Sequence, residues 1–172
     1  MASIYMQIDG VSPNGAATVD GLDGDGWIAL TSLTWGGVRN VGMEVGDATN
    51  SDKGIVAVQE VNVTKMADGA SEFIMSILYS PGAEGKEVTF VATVPMSDGS
   101  GVQIAYQMKL TNSKISSYNK SISEGGIVET IAFTYNEITQ KHNFQEASGD
   151  MSDGGLVTFD VGKGAMTSGE QS

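Results

Sequence analysis

The segment from Val61 to Gly82, VNVTKMADGASEFIMSILYSPG, constrains this chain most, because it carries the one helical period in a sequence that otherwise alternates. Ala70, Phe73, Ile74, Ile77 and Leu78 stand at i, i+3, i+4, i+7 and i+8, a single apolar stripe at helical spacing. Asp68 stands where an N-cap acceptor is wanted, and Glu72 puts a negative charge in the first turn, where it suits the helix dipole. Pro81 and Gly82 end the helix. The spacing predicts one short helix with Phe73, Ile74, Ile77 and Leu78 on its buried face. Upstream, Val61 and Val63 alternate with Asn62 and Thr64 as in a half-buried strand, and Thr64-Lys65 reads as a polar turn.

The rest of the chain reads as strands. Ile4, Met6 and Ile8 make one face of a first strand. Ile28, Leu30, Leu33 and Trp35 keep alternation only with an extra residue near Thr31-Ser32, the mark of a β-bulge. Val38 to Gly54 is long, Gly-rich and acidic with no period, which predicts an extended loop, and such loops in compact domains are usually functional. Ile55, Ala57, Val61 and Val63 predict the next inward face, leaving Val56 and Val58 pointing away from the core. Val88 to Val94 and Val102 to Leu110 alternate cleanly about the turn 95–101 and predict a hairpin. Ser113 to Ser123 alternates weakly. Ile127, Ile131, Phe133 and Tyr135 form a further face, Ile138 and Phe144 mark the next strand, and Val157, Phe159 and Val161 the last.

About nine strands and one helix predict an all-β domain with one short helix. Its form is a closed or nearly closed β-barrel, the helix covering one flank or end, since closure removes sheet edges. The domain spans 1–162, and 163–172, small and polar, predicts a flexible C-terminal tail. Val128 and Ala132, like Val56 and Val58, are apolar on the second face of their strands. Strands apolar on both faces are covered on both sides, and a neighbouring subunit is the expected cover.

A chain of 172 residues fits one domain with a real core. Its 21 acidic against 9 basic residues give −12, which argues against nucleic acid and anionic membrane surfaces as partners. Cysteine is absent, so neither a disulfide nor thiolate chemistry is available. The opening MASIYMQIDG lacks the basic and apolar regions of a signal peptide. No apolar run approaches the ~20 residues that span a bilayer.

Candidate chemistry is sparse. His142 is the single histidine and shares strand phase with Ile138 and Phe144, so packing explains it better than a metal, and a Ser-His-Asp triad would lack its G-x-S-x-G elbow. Asp20, Asp23 and Asp25 alternate with other residues in a Gly-rich run. The order of a calcium loop and its distal Glu are missing, and Asp-Gly pairs are ordinary turn formers, as are Asp150 and Asp153. Glu129 falls in the apolar phase of Ile127, Ile131 and Phe133. An inward carboxylate must be paired or hydrogen-bonded, and backbone N–H groups at a barrel end are the expected donors. The dispersed methionines read as gap fillers. No catalytic, cofactor-binding or metal residue is predicted.

Several segments, taken in order, resemble the Hcp (hemolysin-coregulated protein) family, whose members form the tube of the type VI secretion system. Ile4 to Asp9 resembles the family's first strand. Gly26-Trp27-Ile28 with Leu33-Thr34-Trp35-Gly36 resembles its strand pair. Val63-Thr64-Lys65, Asp68 and Ala70-Ser71 resemble the approach to its helix. Glu129 before Ile131-Ala132-Phe133, and Ile138 to Gln145 followed by Gly149, resemble its closing strands. The chain departs from the pattern at Asp23-Gly24-Asp25, where a His is common, and at Phe144, where a Tyr is. It is also more acidic between Val38 and Ser51.

The resemblance implies a non-enzymatic structural subunit. It would form hexameric rings that stack into a tube, meet spike and sheath proteins, and carry effector proteins in the lumen. Such a protein is cytoplasmic before firing and then secreted without a cleavable signal peptide. Expected ring or stacking contacts are Glu44, Asp47, Asp52, Val56 and Val58, and expected structural residues are Asp68, Phe73, Ile77 and Glu129. The rival readings are a tube protein of another contractile, phage-tail-like particle and a β-barrel binding module. The second would display aromatics in a groove, whereas Trp27 and Trp35 sit within apolar strand patterns.

Overall fold

The computed structural model describes residues 3–10, 17, 21–22, 24, 26–43, 45–46, 51–52 and 54–168. Among them the elements are β1 (Ser3–Ile8), β2 (Ile28–Leu30), β3 (Ser32–Thr34), β4 (Gly37–Val38), β5 (Val41–Gly42), β6 (Ser51–Asp52), β7 (Ala57–Val58), β8 (Val61–Met66) and α1 (Ser71–Tyr79). There follow β9 (Lys86–Pro95), β10 (Val102–Ser123), β11 (Gly126–Thr134), β12 (Glu137–His142), β13 (Phe144–Gln145), β14 (Met151–Ser152), β15 (Leu156–Asp160) and β16 (Ala165–Ser168). The protein is therefore mostly β with a single short helix, and ten strands share one sheet.

The 22-residue β10 is the spine of that sheet. The weak alternation after Ser113 conceals a continuous strand. β11 pairs with Lys114–Ser123 and β12 with Tyr106–Thr111, so the chain runs back along β10 as two successive strands. β9 pairs along the opposite side of Tyr106–Leu110, in the hairpin that alternation predicts. β1 adds to β9 and β2 to β1, while β8 adds to β11 and β3 to β8. The extra residue near Thr31 is a change of partner rather than a simple bulge. Strand β2 follows β1, then Thr31 donates both its N–H (2.8 Å) and its hydroxyl (2.9 Å) to the Thr64 carbonyl, and β3 follows β8.

Inward alternation from these strands meets in one core. Met6, Ile28, Val61, Phe90, Leu110, Ile131 and Phe133 are essentially unexposed, and Phe90 and Phe133 pack edge to face at 5.8 Å. Close chain crossings require glycine. A Cβ at Gly21, where φ is +107°, would lie 2.4 Å from the Val102 carbonyl oxygen, and one at Gly154 would lie 1.5 Å from that of His142.

Several expectations are corrected. The helix begins at Ser71, its N-cap position is Ala70, and Asp68 lies two residues upstream of that position. Ser71 and Ile74 are its buried residues, Ile77 is half-buried against the core, and Phe73 is 41% exposed. The buried face is rotated toward Ser71 because that hydroxyl serves a buried ion pair described below. The phase of 55–58 is opposite to that expected. Val58 packs on the core while Ile55 is 70% exposed, since Gln59 and Glu60 break the alternation before β8. The acidic segment after Val38 is a hairpin arm, not an open loop: β4 pairs with β7 and β5 with β6. The sheet also continues past the boundary expected at 162, because Ala165–Ser168 pairs with β15.

Candidate functional site

Two places concentrate chemistry, a buried ion cluster beneath α1 and the exposed arm. The cluster follows from strand register. Lys65 stands opposite Glu129 across β8 and β11, and Lys120 stands opposite Glu129 across β10 and β11, so three charges share one row. Lys65 and Glu129 have no solvent exposure. The Lys65 ammonium is 2.7 Å from Glu129 Oε2 and 3.0 Å from Asp68 Oδ1, and donates to Ser71 Oγ at 3.1 Å, which uses its three protons. Ser71 Oγ donates to Glu129 Oε2 at 3.0 Å, Tyr118 OH donates to Oε1, and Lys120 Nζ lies 3.7 Å from Oε1.

Burial pushes the Glu129 carboxyl up, but the bonds from Lys65, Tyr118 and Ser71 outweigh it and hold the group below its ordinary range. Burial and the Glu129 carboxylate push the Tyr118 hydroxyl up. The donors to Glu129 are thus side chains, not the backbone N–H groups expected at a barrel end. Asp68 keeps a capping function of another kind, accepting from Ala70 N at 3.0 Å while its own N–H donates to Ser71 Oγ at 3.1 Å. The Lys65-Ser71 contact has the composition of a nucleophile with a base. Ser71 is 6% exposed and Lys65 0%, so a substrate carbonyl has no approach to that hydroxyl.

The arm presents the reverse pattern. Val38, Val41, Met43, Val45 and Ile55 are 60, 44, 83, 110 and 70% exposed. Its base is fixed: Gln59 N donates to the Gly36 carbonyl at 2.9 Å, Trp35 Nε1 donates to Tyr135 OH at 2.8 Å, and Tyr135 OH donates to the Gln59 carbonyl at 2.6 Å. Trp27 and Trp35 are held within the fold rather than displayed in a groove. Val56 and Val58 lie at the arm's root, both half-buried. Glu44 and Asp47 lie outside the described residues, and Asp52 is placed in β6 by its backbone.

Of the remaining candidates, Asp20, Asp23 and Asp25 lie outside the described residues. His142 is exposed and tilts against the Tyr106 ring at 4.6 Å rather than packing inside. Met6 and Met108 fill the core, whereas Met43 is on the arm. Among the described residues no three His, Cys, Asp or Glu side chains converge as metal ligands would, and no helix is long and apolar enough to cross a membrane. Lys65, Ser71, Tyr118 and Lys120 are the cluster members that sequence reading missed. The signal for Lys65 was present: it continues the phase of Val61 and Val63, as Glu129 continues that of Ile131 and Phe133.

Solved structures share this arrangement. The chain superposes on a type six secretion system protein with a TM-score of 0.83 at 24% identity, over 97% of this chain and 100% of the other. It superposes on Hcp1 from Salmonella typhimurium with 0.69 at 15% identity, over 96% and 98%. The secreted protein Hcp3 from Pseudomonas aeruginosa gives 0.59 at 18%, over 93% and 98%. At these identities the likeness is one of fold. No curated relative matches the chain. The profile of the family described as type VI secretion system effector, Hcp, matches residues 5–142, and the chain belongs to that family.

Proposed function

We propose that the protein is a ring-forming structural subunit whose hexamers stack into the inner tube of a type VI secretion machine. The observation that carries this reading is the arm. Five large apolar side chains stand exposed on a hairpin whose base is rigidly anchored, and monomeric proteins rarely leave such a surface uncovered. The fold supports it. The bent strand β2–β3 links the β1 ladder to the β8 ladder, consistent with a barrel closed through β1, β9, β10, β11 and β8, with α1 over one end.

In this reading the arm reaches a neighbouring subunit or ring, with Glu44, Asp47, Asp52, Val56 and Val58 at or beside the contact. The protein is made in the cytoplasm, exported with spike and sheath action, carries effectors in its lumen and performs no catalysis itself. Light scattering on a sizing column tests the assembly. The expected species has six times the 17.9 kDa chain mass, and a monodisperse monomer at micromolar concentration sinks the reading.

Stacking should respond to salt. The arm adds like charge to a chain of −12 and also exposes apolar surface. The Debye length is about 10 Å at 0.1 M salt, so added salt screens the repulsion and leaves the apolar contact. Electron microscopy across a salt series should show separate rings at low salt and stacks at high salt. Stacks that form best at low salt would mean that complementary charges join the rings.

A further inference from the structure

The core is covered at one end and open at the other. Helix α1 lies over the end of Ile8, Val88 and Lys65, where Phe73 and Ile77 share a cavity wall with Gly10 and Lys86. At the far end Ile4, Leu33 and Tyr106 pack against the core yet remain half-buried. With Phe90, Val91 and Ala92 they line a cavity of about 230 Å³. None of these six residues is charged, on a chain of net charge −12. The rim is fixed: Tyr106 OH donates to Gln140 Oε1 at 2.7 Å and its ring is braced by His142.

We propose that this open end receives the tip of the arm, Met43 and Val45, from a second copy of the chain. The inference rests on the assembly reading above and names the acceptor within it. Three observations favour this occupant. At 83 and 110% exposure, Met43 and Val45 are the most exposed large apolar side chains among the described residues, so their own chain provides no seat for them. The space suffices, because a cavity of about 150 Å³ already holds benzene, and Met adapts its shape to irregular gaps. The six lining residues carry no charge, so a side chain of a like-charged copy can enter without desolvating a carboxylate among them. Donor and acceptor are different surfaces, so every copy offers one of each, the condition for a contact that propagates into a ring or a stack.

The native chain has no cysteine, so engineered thiols are unique. Full-length Val45→Cys is mixed with full-length Ala92→Cys, and separately with Leu33→Cys as a second acceptor in case one variant folds poorly. A short bismaleimide then couples neighbours. The control acceptor is Glu124→Cys, in the exposed β10–β11 turn at the helix end. Coupling to the mouth should be at least about tenfold faster than to the control, because docking raises the effective concentration. Adding Met43→Asp to the donor should remove that advantage. Equal rates at the two acceptors, or coupling of Val45→Cys mainly to itself while scattering still reports a full assembly, would overturn the acceptor and leave the assembly reading standing. A protein that stays monomeric throughout would overturn both.

Discussion

At the head of α1 the chain buries Lys65 and Glu129, and along the arm it exposes Val38, Val41, Met43, Val45 and Ile55. Both regions invert the usual placement of polar and apolar groups. The ion cluster resolves its inversion internally, because Lys65, Asp68, Ser71, Tyr118 and Glu129 satisfy one another. The arm does not, because its base is bonded but Val38, Met43, Val45 and Ile55 keep more than half of their surface in solvent. A satisfied inversion is a feature of the fold, whereas an unsatisfied one points outward to a partner. That contrast separates the structural residues of this protein from its candidate contacts.

The largest effect expected is at the cluster. Lys65→Ala leaves Glu129 buried with its closest cation removed and should cost about 3–5 kcal/mol. Urea unfolding measures it. The double variant Lys65→Met, Glu129→Leu should recover most of that loss, since apolar replacement of a buried pair is often neutral or better. A single variant that melts like the native protein would mean that the cluster adds little to the fold.

A smaller effect is expected from acid. The Glu129 carboxyl titrates below its ordinary value of 4.5 in the folded protein, so its contribution is present above that value and is lost as pH falls through the lowered one. Thermal midpoints should hold near neutrality and fall in acid, and Glu129→Gln should flatten part of that fall. An identical acid profile in the variant would place the sensitivity elsewhere.

The smallest effect on the fold is expected at the arm. Val45→Ser should shift unfolding by no more than about 0.5 kcal/mol when measured at a dilution that dissociates the protein, as surface changes do. The same substitution should weaken assembly. A large loss of monomer stability would show that the arm packs on its own chain and would erase the contrast.

Legibility in the sequence followed the range of the interaction. The helix was visible because Ala70, Ile74 and Ile77 repeat within a few residues, and the β9–β10 hairpin because clean alternation flanks a Gly-rich turn. Glu129 stood out as an acid in an apolar phase. Its partners did not, because Lys65 lies 64 residues away and meets it only when the register of β8 against β11 is set. Phe73 was misplaced for a related reason. The stripe fixed the period of α1, but the rotation of the helix was set by Ser71 reaching the ion pair.

The arm shows the same division. Its acidity and glycine content predict an extended loop, but paired two-residue strands inside it are too short to show a period. The sequence by itself determined an acidic, cysteine-free, nearly all-β domain with one short helix, since these depend on composition and neighbour spacing. Only the tertiary structure decided which charges are buried together, where a strand changes partners at Thr31, and which apolar side chains stay bare. Those outcomes depend on register between distant segments, and local periodicity leaves register open until the strands have paired.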